Sequence, residues 1–350
     1  MEPVTHLLTG ACLSRAGFNR TTGLATLTMT LAAEVPDLDV FYYFRGSVEG
    51  FAHHRGFTHT LLGAPVMAAL TVAGVYVLHR ILRRRGWNPR VAPRWPMLFL
   101  CALLATLVHI FQDFTNNYGV RPFAPFRPRW YSWDIVFIID PLMLASLALG
   151  LAVPVVFGMI GDEVGAKKSA FRGRGGAVFA LLCLAALILF RDIQHRRAVN
   201  ALNSITYRNE DPLRASAFPN PLSPFSWGGV VETRDFFEIV PVDSGSGQID
   251  SENRAVVRFK PEETPVTLAA KRSRLGQVYL DWAGYPLVQV ETLPGQSGYV
   301  VRFEDLRFEY NQVLTRGGPP PLAGYVELDS QLRVVDQHMG RRDRIDKKPD

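Results

Sequence analysis

Residues 60–79, TLLGAPVMAALTVAGVYVLH, hold no acid, lysine or arginine. At about 1.5 Å of rise per residue the run crosses a hydrocarbon core once, and Pro65 lies near one end, where it costs little helix. Three further runs repeat the pattern. Residues 95–112 (WPMLFLCALLATLVHIFQ) open on Trp95, an interfacial anchor. Residues 135–160 form the longest run, broken by Asp140-Pro141 and Pro154. Residues 175–190 (GGAVFALLCLAALILF) are the shortest, and span only if flanking residues snorkel or the bilayer thins. Upstream, residues 5–17 and 21–34 read as two helices around a Gly17-Phe18-Asn19-Arg20 turn, with Pro36 ending the second. Each is short for a crossing, so an antiparallel pair at or partly within the membrane is expected, returning Asp37 near His6.

Loop charge gives a direction. The 80–94 connection carries Arg80, Arg83, Arg84, Arg85, Arg90 and Arg94 with no acid, which predicts a cytoplasmic loop. The 161–174 connection, with Lys167, Lys168, Arg172 and Arg174 against Asp162 and Glu163, belongs to the same side. Residues 113–134, the segment ending at His59 and everything after residue 190 then fall on the extracytoplasmic side of an inner membrane. Arg191, Arg196 and Arg197 run against this orientation.

The formal charge of +6 over 350 residues is therefore divided among loops rather than gathered into a nucleic-acid-reading surface, and no nucleic acid partner is expected. Cys12, Cys101 and Cys183 sit in apolar helical contexts without Cys-x-x-Cys spacing, as small core residues do. No basic stretch precedes an apolar N-terminal region, so no cleaved signal peptide is expected.

Beyond residue 199 the texture changes. After the turn-rich NPLSPFSWGG, segments such as VVETRDFFEIVPVD, GQVYLDW and SGYVVRFEDLRFEYN follow one another, several alternating with period two. The expected fold class is a multi-pass all-α membrane domain followed by a small, mainly antiparallel β domain. The expected boundaries are 1–198 for the helical domain, about four crossings plus the N-terminal hairpin, 199–337 for the β-rich domain and 338–350 for a charged tail.

The candidate chemistry lies at the ends of the apolar runs. His54 and His59 precede the first and His109 and Asp113 close the second, so two opposed crossings deliver all four to one membrane face. His109 and Asp113, at i and i+4, share a helix face. Gly56 permits a turn between His54 and His59, and Thr58 can cap the helix that follows. Pro36-Asp37-Leu38-Asp39 adds two carboxylates, with Asp37 the nearer ligand and Asp39 either a ligand or a group orienting an imidazole. His6 is a cap residue or a ligand, and His53 is a weaker candidate than His54. His79 belongs to the opposite face, while His195 and His338 read as surface or juxtamembrane residues.

Imidazole with carboxylate suits zinc first, with manganese, iron or magnesium as alternatives. Arg55 could hold a phosphoryl or carboxylate oxygen, or neutralise Asp37 or Asp39. Asn116, Asn117, Tyr118, Arg121, Arg127 and Arg129 could recognise a polar head group. Asp134 is a further ligand or base, and Asp140 is a helix-kink cap or a chemical group.

Taken jointly, Thr5-His6, Pro36-Asp37-Leu38-Asp39, His54-Arg55-Gly56-Phe57-Thr58-His59, His109 with Asp113, Tyr118-Gly119, Pro122-Phe123 and Asp134 resemble the predicted inner-membrane, metal-dependent hydrolases of bacteria and archaea. The resemblance covers roughly residues 1–160. It implies a multi-pass membrane protein with a polar hydrolase site. The reading that follows is a metal-dependent hydrolase at the membrane surface, acting on a membrane lipid or lipid-linked phosphoester. Its metal set is drawn from His6, Asp37, Asp39, His54, His59, His109 and Asp113, and its catalytic groups are Asp39, Arg55 and Asp134. The alternatives are a non-catalytic, metal-stabilised envelope protein that binds a partner protein or itself and, ranked lowest, a transporter.

Overall fold

The computed structural model describes residues 1–163, 173–251, 254–293, 295, 297–309 and 322–340. Residues 164–172 of the second charged connection and 341–350 of the expected tail lie outside the described residues. The chain divides into two compact units, Met1–Asp39 with Arg55–Ile193 and Val40–His54 with Gln194–Asp350.

The first unit is helical. Helices α1 (Pro3–Leu13) and α2 (Ala25–Ala32) form the N-terminal hairpin. Helix α3 (Ser47–His53) falls in the other unit. Helices α4 (Gly63–Arg84), α5 (Trp95–Thr115), α6 (Pro141–Glu163) and α7 (Arg174–Leu202) each contain a stretch long and apolar enough to cross a membrane. Their outward faces expose Leu70, Val77, Leu100, Phe157, Phe179, Leu182 and Leu189. Side chains of that kind on a charge-poor helix face lipid, and the helix satisfies its own backbone there.

The hairpin reaches further into this bundle than its length suggested. Small residues let it pack closely: a Cβ on Gly10 would stand 2.5 Å from the Met29 carbonyl oxygen. Its turn meets the Arg-rich α4–α5 loop, where the Gly23 amide donates to the Ala92 carbonyl (3.2 Å) and the Arg94 amide to Thr22 Oγ1 (2.8 Å). That loop closes the ends of α4 and α5 remote from His59 and His109, so the hairpin runs along the depth of the bundle. A π-helical turn, Ser14–Phe18, continues the course of α1 and supplies the added reach.

Two devices fix α6 and α7. Gly150 and Gly176 abut, and a Cβ on Gly176 would lie 2.4 Å from the Gly150 carbonyl oxygen. Asp140 caps α6, its Oδ1 accepting from the amides of Leu142 (3.0 Å) and Met143 (3.1 Å). Its Oδ2 pairs with Arg191 at 2.7 Å, both side chains fully buried. Arg191 is thus held inside the bundle rather than standing free at its surface, which is how a membrane domain accommodates a charge.

The second unit contains antiparallel sheets, as most of the alternating segments predict. GQVYLDW is the exception: it lies in a helix, Arg274–Trp282, because Leu275, Tyr279 and Trp282 recur at helical spacing and share one buried face. Strands β1 (Arg214–Pro219), β2 (Ser226–Glu232) and β3 (Phe236–Asp243) pair in sequence, and β3 also pairs with β4 (Gln248–Ile249) and β5 (Val256–Phe259). The other sheet runs β6 (Pro286–Thr292), β7 (Gly298–Asp305), β8 (Gly324–Asp329) and β9 (Val334–Met339). β9 therefore includes His338, the first residue of the expected tail.

Strands β2 and β3 are buried on both faces. On one, Trp227, Val231, Phe236 and Val240 pack with Ala198 and Leu202 from the end of α7. On the other, Phe218, Val230, Phe237 and Ile239 pack with Tyr285, Leu287 and Leu306. Each fully buried side chain of this size contributes roughly 1.5–3 kcal/mol. Helices α8 (Pro265–Arg272) and α9 (Arg274–Trp282) begin at the capping residues Thr264 and Ser273. Helix α3 completes the unit: Glu49 meets Arg274 through paired contacts of 2.9 and 3.2 Å, Ser47 Oγ accepts from the Met339 amide at 3.0 Å, and Phe51 packs on Tyr279 and Trp282.

Candidate metal centre

Pro36 lies in a 3-10 segment, Val35–Arg45, that follows α2. The Asp37 side chain is 23% exposed and faces the ends of two imidazoles: its Oδ1 lies 3.4 Å from His59 Nε2 and 3.6 Å from His109 Nε2. Asp39 is buried and lies behind the His59 ring, its Oδ2 3.3 Å from Nδ1 and accepting from the Arg55 amide at 2.6 Å. His59 comes from a short 3-10 turn, Phe57–His59, just before α4, and His109 and Asp113 from the last turns of α5. Asp113 Oδ2 lies 3.3 Å from His59 Nε2 and 3.6 Å from His109 Nε2.

The two imidazoles decide what this cluster can hold. His109 Nδ1 lies 2.7 Å from the Ala33 carbonyl oxygen, which can only accept, so the ring's proton is on Nδ1. His59 Nδ1 lies 3.0 Å from Thr58 Oγ1, whose hydroxyl donates to Asp39 Oδ2 (3.4 Å), and 3.3 Å from that carboxylate itself, so the ring nitrogen is placed as a donor. With one proton on each ring, both Nε2 lone pairs point into the cluster, where the two atoms are 3.0 Å apart. Two acceptors in that relation, enclosed by two carboxylates, call for a cation between them.

The spacing agrees. Ligands about 2.0–2.1 Å from a tetrahedral ion stand about 3.4 Å from one another. The contacts of His59 and His109 with each other, with Asp37 and with Asp113 span 3.0–3.6 Å. Asp37, His59, His109 and Asp113 form a group able to hold a metal ion.

Around this group the hydrogen bonds are organised to aim it. Asp113 Oδ1 is engaged by Arg55 Nη2 (2.9 Å), Asn116 Nδ2 (3.4 Å) and the Met1 ammonium, which leaves Oδ2 turned inward. Arg55 Nη1 also donates to Asn116 Oδ1 (3.1 Å) and the Gly119 carbonyl (2.9 Å), and its guanidinium lies over the Tyr118 ring. Arg55 itself occupies the left-handed backbone region at φ 53°.

His6 is oriented by a relay. Thr9 Oγ1 donates to the Thr5 carbonyl, accepts from Gln112 Nε2 at 3.0 Å, and so turns Gln112 Oε1 towards His6 Nδ1 at 3.2 Å. His6 Nε2 then faces Asp113 Oδ1 at 3.3 Å, and the ring stacks on His109.

Electrostatics follow the burial. Burial lowers the Arg55 guanidinium to about 10, leaving it charged at neutral pH. Burial, with repulsion from Asp37 and Glu2, pushes Glu34 up to about 7.

Of the candidates read from the sequence, His6, Asp37, Asp39, Arg55, His59, His109 and Asp113 come together in the first unit. His54 falls in the second unit and outside the four-residue cluster. Asp134, at φ 59°, stands outside that cluster too, and Asp140 is the cap and ion-pair partner described above. His79 is buried beside Trp95 near the Arg-rich loop. Arg121 lies over Trp130 and Arg129 over Tyr131. Gln112, Thr9 and Glu34 do not stand out in the sequence. The available signals were Gln112 beside Asp113 and Glu34 three residues before Asp37.

The helical part of the chain, which carries this His/Asp group, matches a known family. A family model described as YdjM inner membrane protein matches residues 1–198. The chain belongs to that family. The match to the YdjM family spans every residue of the candidate centre and all four apolar crossings. A relative, the uncharacterized protein YfhP of Bacillus subtilis (strain 168), is 23% identical over 349 residues, covering 97% of this chain and 95% of its own. Similarity to YfhP thus extends through the β-rich unit. No solved structure matches the chain.

Proposed function

We propose that this protein is a metal-dependent hydrolase of the membrane surface, acting on a lipid or lipid-linked phosphoester. The observation that carries the reading is the pair of inward-facing Nε2 atoms of His59 and His109, 3.0 Å apart between Asp37 and Asp113. A divalent ion, zinc first by its preference for mixed imidazole and carboxylate donors, supplies a lowered pKa for water and polarises the phosphoester.

The chain's own groups prepare the place for it. Asp39 and the Ala33 carbonyl hold the two rings by their Nδ1 atoms, and Arg55 holds Asp113. With its amino nitrogens committed to Asp113, Asn116 and Gly119, Arg55 serves as a positioning group. Asp37, partly exposed, marks the side from which substrate enters. The Arg-rich 80–94 loop supports an extracytoplasmic site.

Turnover tests the reading. Purified protein in lipid nanodiscs is expected to release product from a panel of lipid phosphoesters only with added divalent metal, and His59→Ala or His109→Ala to abolish release. Product release that survives either substitution overturns the assignment. One observation favours a second reading, a structural ion: His59, His109 and Asp113 are fully buried, and closed sites are typical of structural metals. Stoichiometric metal with no turnover on any substrate of the panel decides for that reading.

A further inference from the structure

Beside the centre, the loop after α5 makes a second surface in the same unit. Leu61, Leu62, Pro122, Phe123, Phe126 and Arg127 line a groove of about 460 Å³. Its two walls are tied together by the Leu61 amide, which donates to the Pro122 carbonyl at 2.9 Å, and Leu61 follows His59 by two residues. The groove therefore begins on the segment that carries a candidate ligand.

Its walls are apolar and uncovered. Phe126 is 83% exposed, and Leu61, Leu62 and Phe123 are each about half exposed. These residues lie outside the helices α4 and α5 that supply the crossings. A contiguous apolar surface of this kind on a loop marks a binding site.

Charge selects the occupant. Residues 114–133 contain Arg121, Arg127 and Arg129 and no acid. Arg121 and Arg129 lie over aromatic rings, while Arg127 lines the groove itself. An apolar channel with a guanidinium in its wall, opening at the end of membrane crossings, fits a molecule with a hydrocarbon tail and an anionic head.

We propose that this groove seats one acyl chain of an anionic glycerophospholipid drawn from the surrounding bilayer, with Arg127 against its phosphate. That the seated lipid is the substrate rests on the hydrolase reading. Its seating does not.

The test uses the full chain in nanodiscs containing phosphatidylglycerol with a diazirine on one acyl chain. After irradiation, adducts are expected to concentrate on residues 61–62 and 122–127. Replacing Leu62 and Phe126 together by Ser should lower those adducts about tenfold while adducts on the four crossings persist, the loss expected from removing two apolar walls. An unchanged helical circular dichroism spectrum and thermal midpoint serve as the folding control. In the unmodified protein, phosphatidylglycerol should label the groove about fivefold more than phosphatidylcholine bearing the same diazirine, the preference one arginine confers. Labelling spread evenly over the crossings, or indifferent to both the double substitution and the head group, overturns the proposal. Groove labelling in a protein that turns over no lipid phosphoester rejects the hydrolase reading and leaves the lipid seat standing.

Discussion

His59 and His109 present Nε2 to Nε2 across 3.0 Å, and each ring's Nδ1 is held from outside, by Asp39 and by the Ala33 carbonyl. The arrangement brings like-polarity atoms together at the junction of three separate segments. An ion held there would convert that repulsion into a contact joining the 3-10 segment after α2, the turn before α4 and the end of α5.

Removal of metal is therefore expected to loosen the first unit. Stripping with a chelator should lower the thermal midpoint, since an ion at a hundred times its dissociation constant contributes about 2.7 kcal/mol. His109→Ala should bring bound metal, measured by inductively coupled plasma mass spectrometry, to background and erase the chelator response. An unchanged metal-to-protein ratio in His109→Ala would remove the centre from consideration.

Asp39→Asn tests orientation separately from ligation. The amide keeps the size of the side chain but weakens its hold on the His59 ring, and loss of such a partner costs about 10–100-fold in metal affinity. Competition with a fluorescent chelator should show that loss while helical content is retained. Equal affinity in the two proteins would mean that Asp39 does not set the ring.

The Asp140–Arg191 pair invites a double substitution. Asp140→Leu alone takes the carboxylate away from a buried guanidinium and should cost about 3–5 kcal/mol, whereas Asp140→Leu with Arg191→Met should recover most of that loss. Unfolding in mixed micelles measures both. Additive effects would show that the two charges are not coupled.

Glu34 gives a pH dependence with a defined sign. Its carboxyl rises from an ordinary 4.5 to about 7 on folding, chiefly through burial. Between those values the folded state keeps a proton that the unfolded chain has released, so stability falls as pH rises through that window. In chelator-treated protein the thermal midpoint should drop between pH 5 and pH 8, and Glu34→Gln should flatten the drop. A midpoint whose slope is untouched by Glu34→Gln would place the titration elsewhere.

The crossings were legible because hydrocarbon excludes formal charge, and the runs at 60–79 and 95–112 hold no acid, lysine or arginine. Their opposed directions also brought His59 near His109 and Asp113. The depth of the hairpin was not legible. It depends on Gly10 and on the π turn at Ser14–Phe18, whose packing has no periodic signature. Strands β2 and β3 blur the expected alternation because both of their faces are covered. The role of Gln112 was hidden as well, since a neutral amide inside an apolar run shows its purpose only when Thr9 and His6 arrive from another helix.

The stretch Val40–His54 separates Asp37 and Asp39 from Arg55 and His59, yet it clusters with the unit that begins at Gln194. During synthesis, those residues emerge long before the partners Arg274, Tyr279, Trp282 and Met339 that α3 contacts. The ribosome thus delivers Asp37 and Asp39 before, and His59, His109 and Asp113 after, a piece whose own neighbours have yet to be translated. A nascent chain halted before the β-rich part would carry, between Asp39 and Arg55, an insert whose own partners are still to be made.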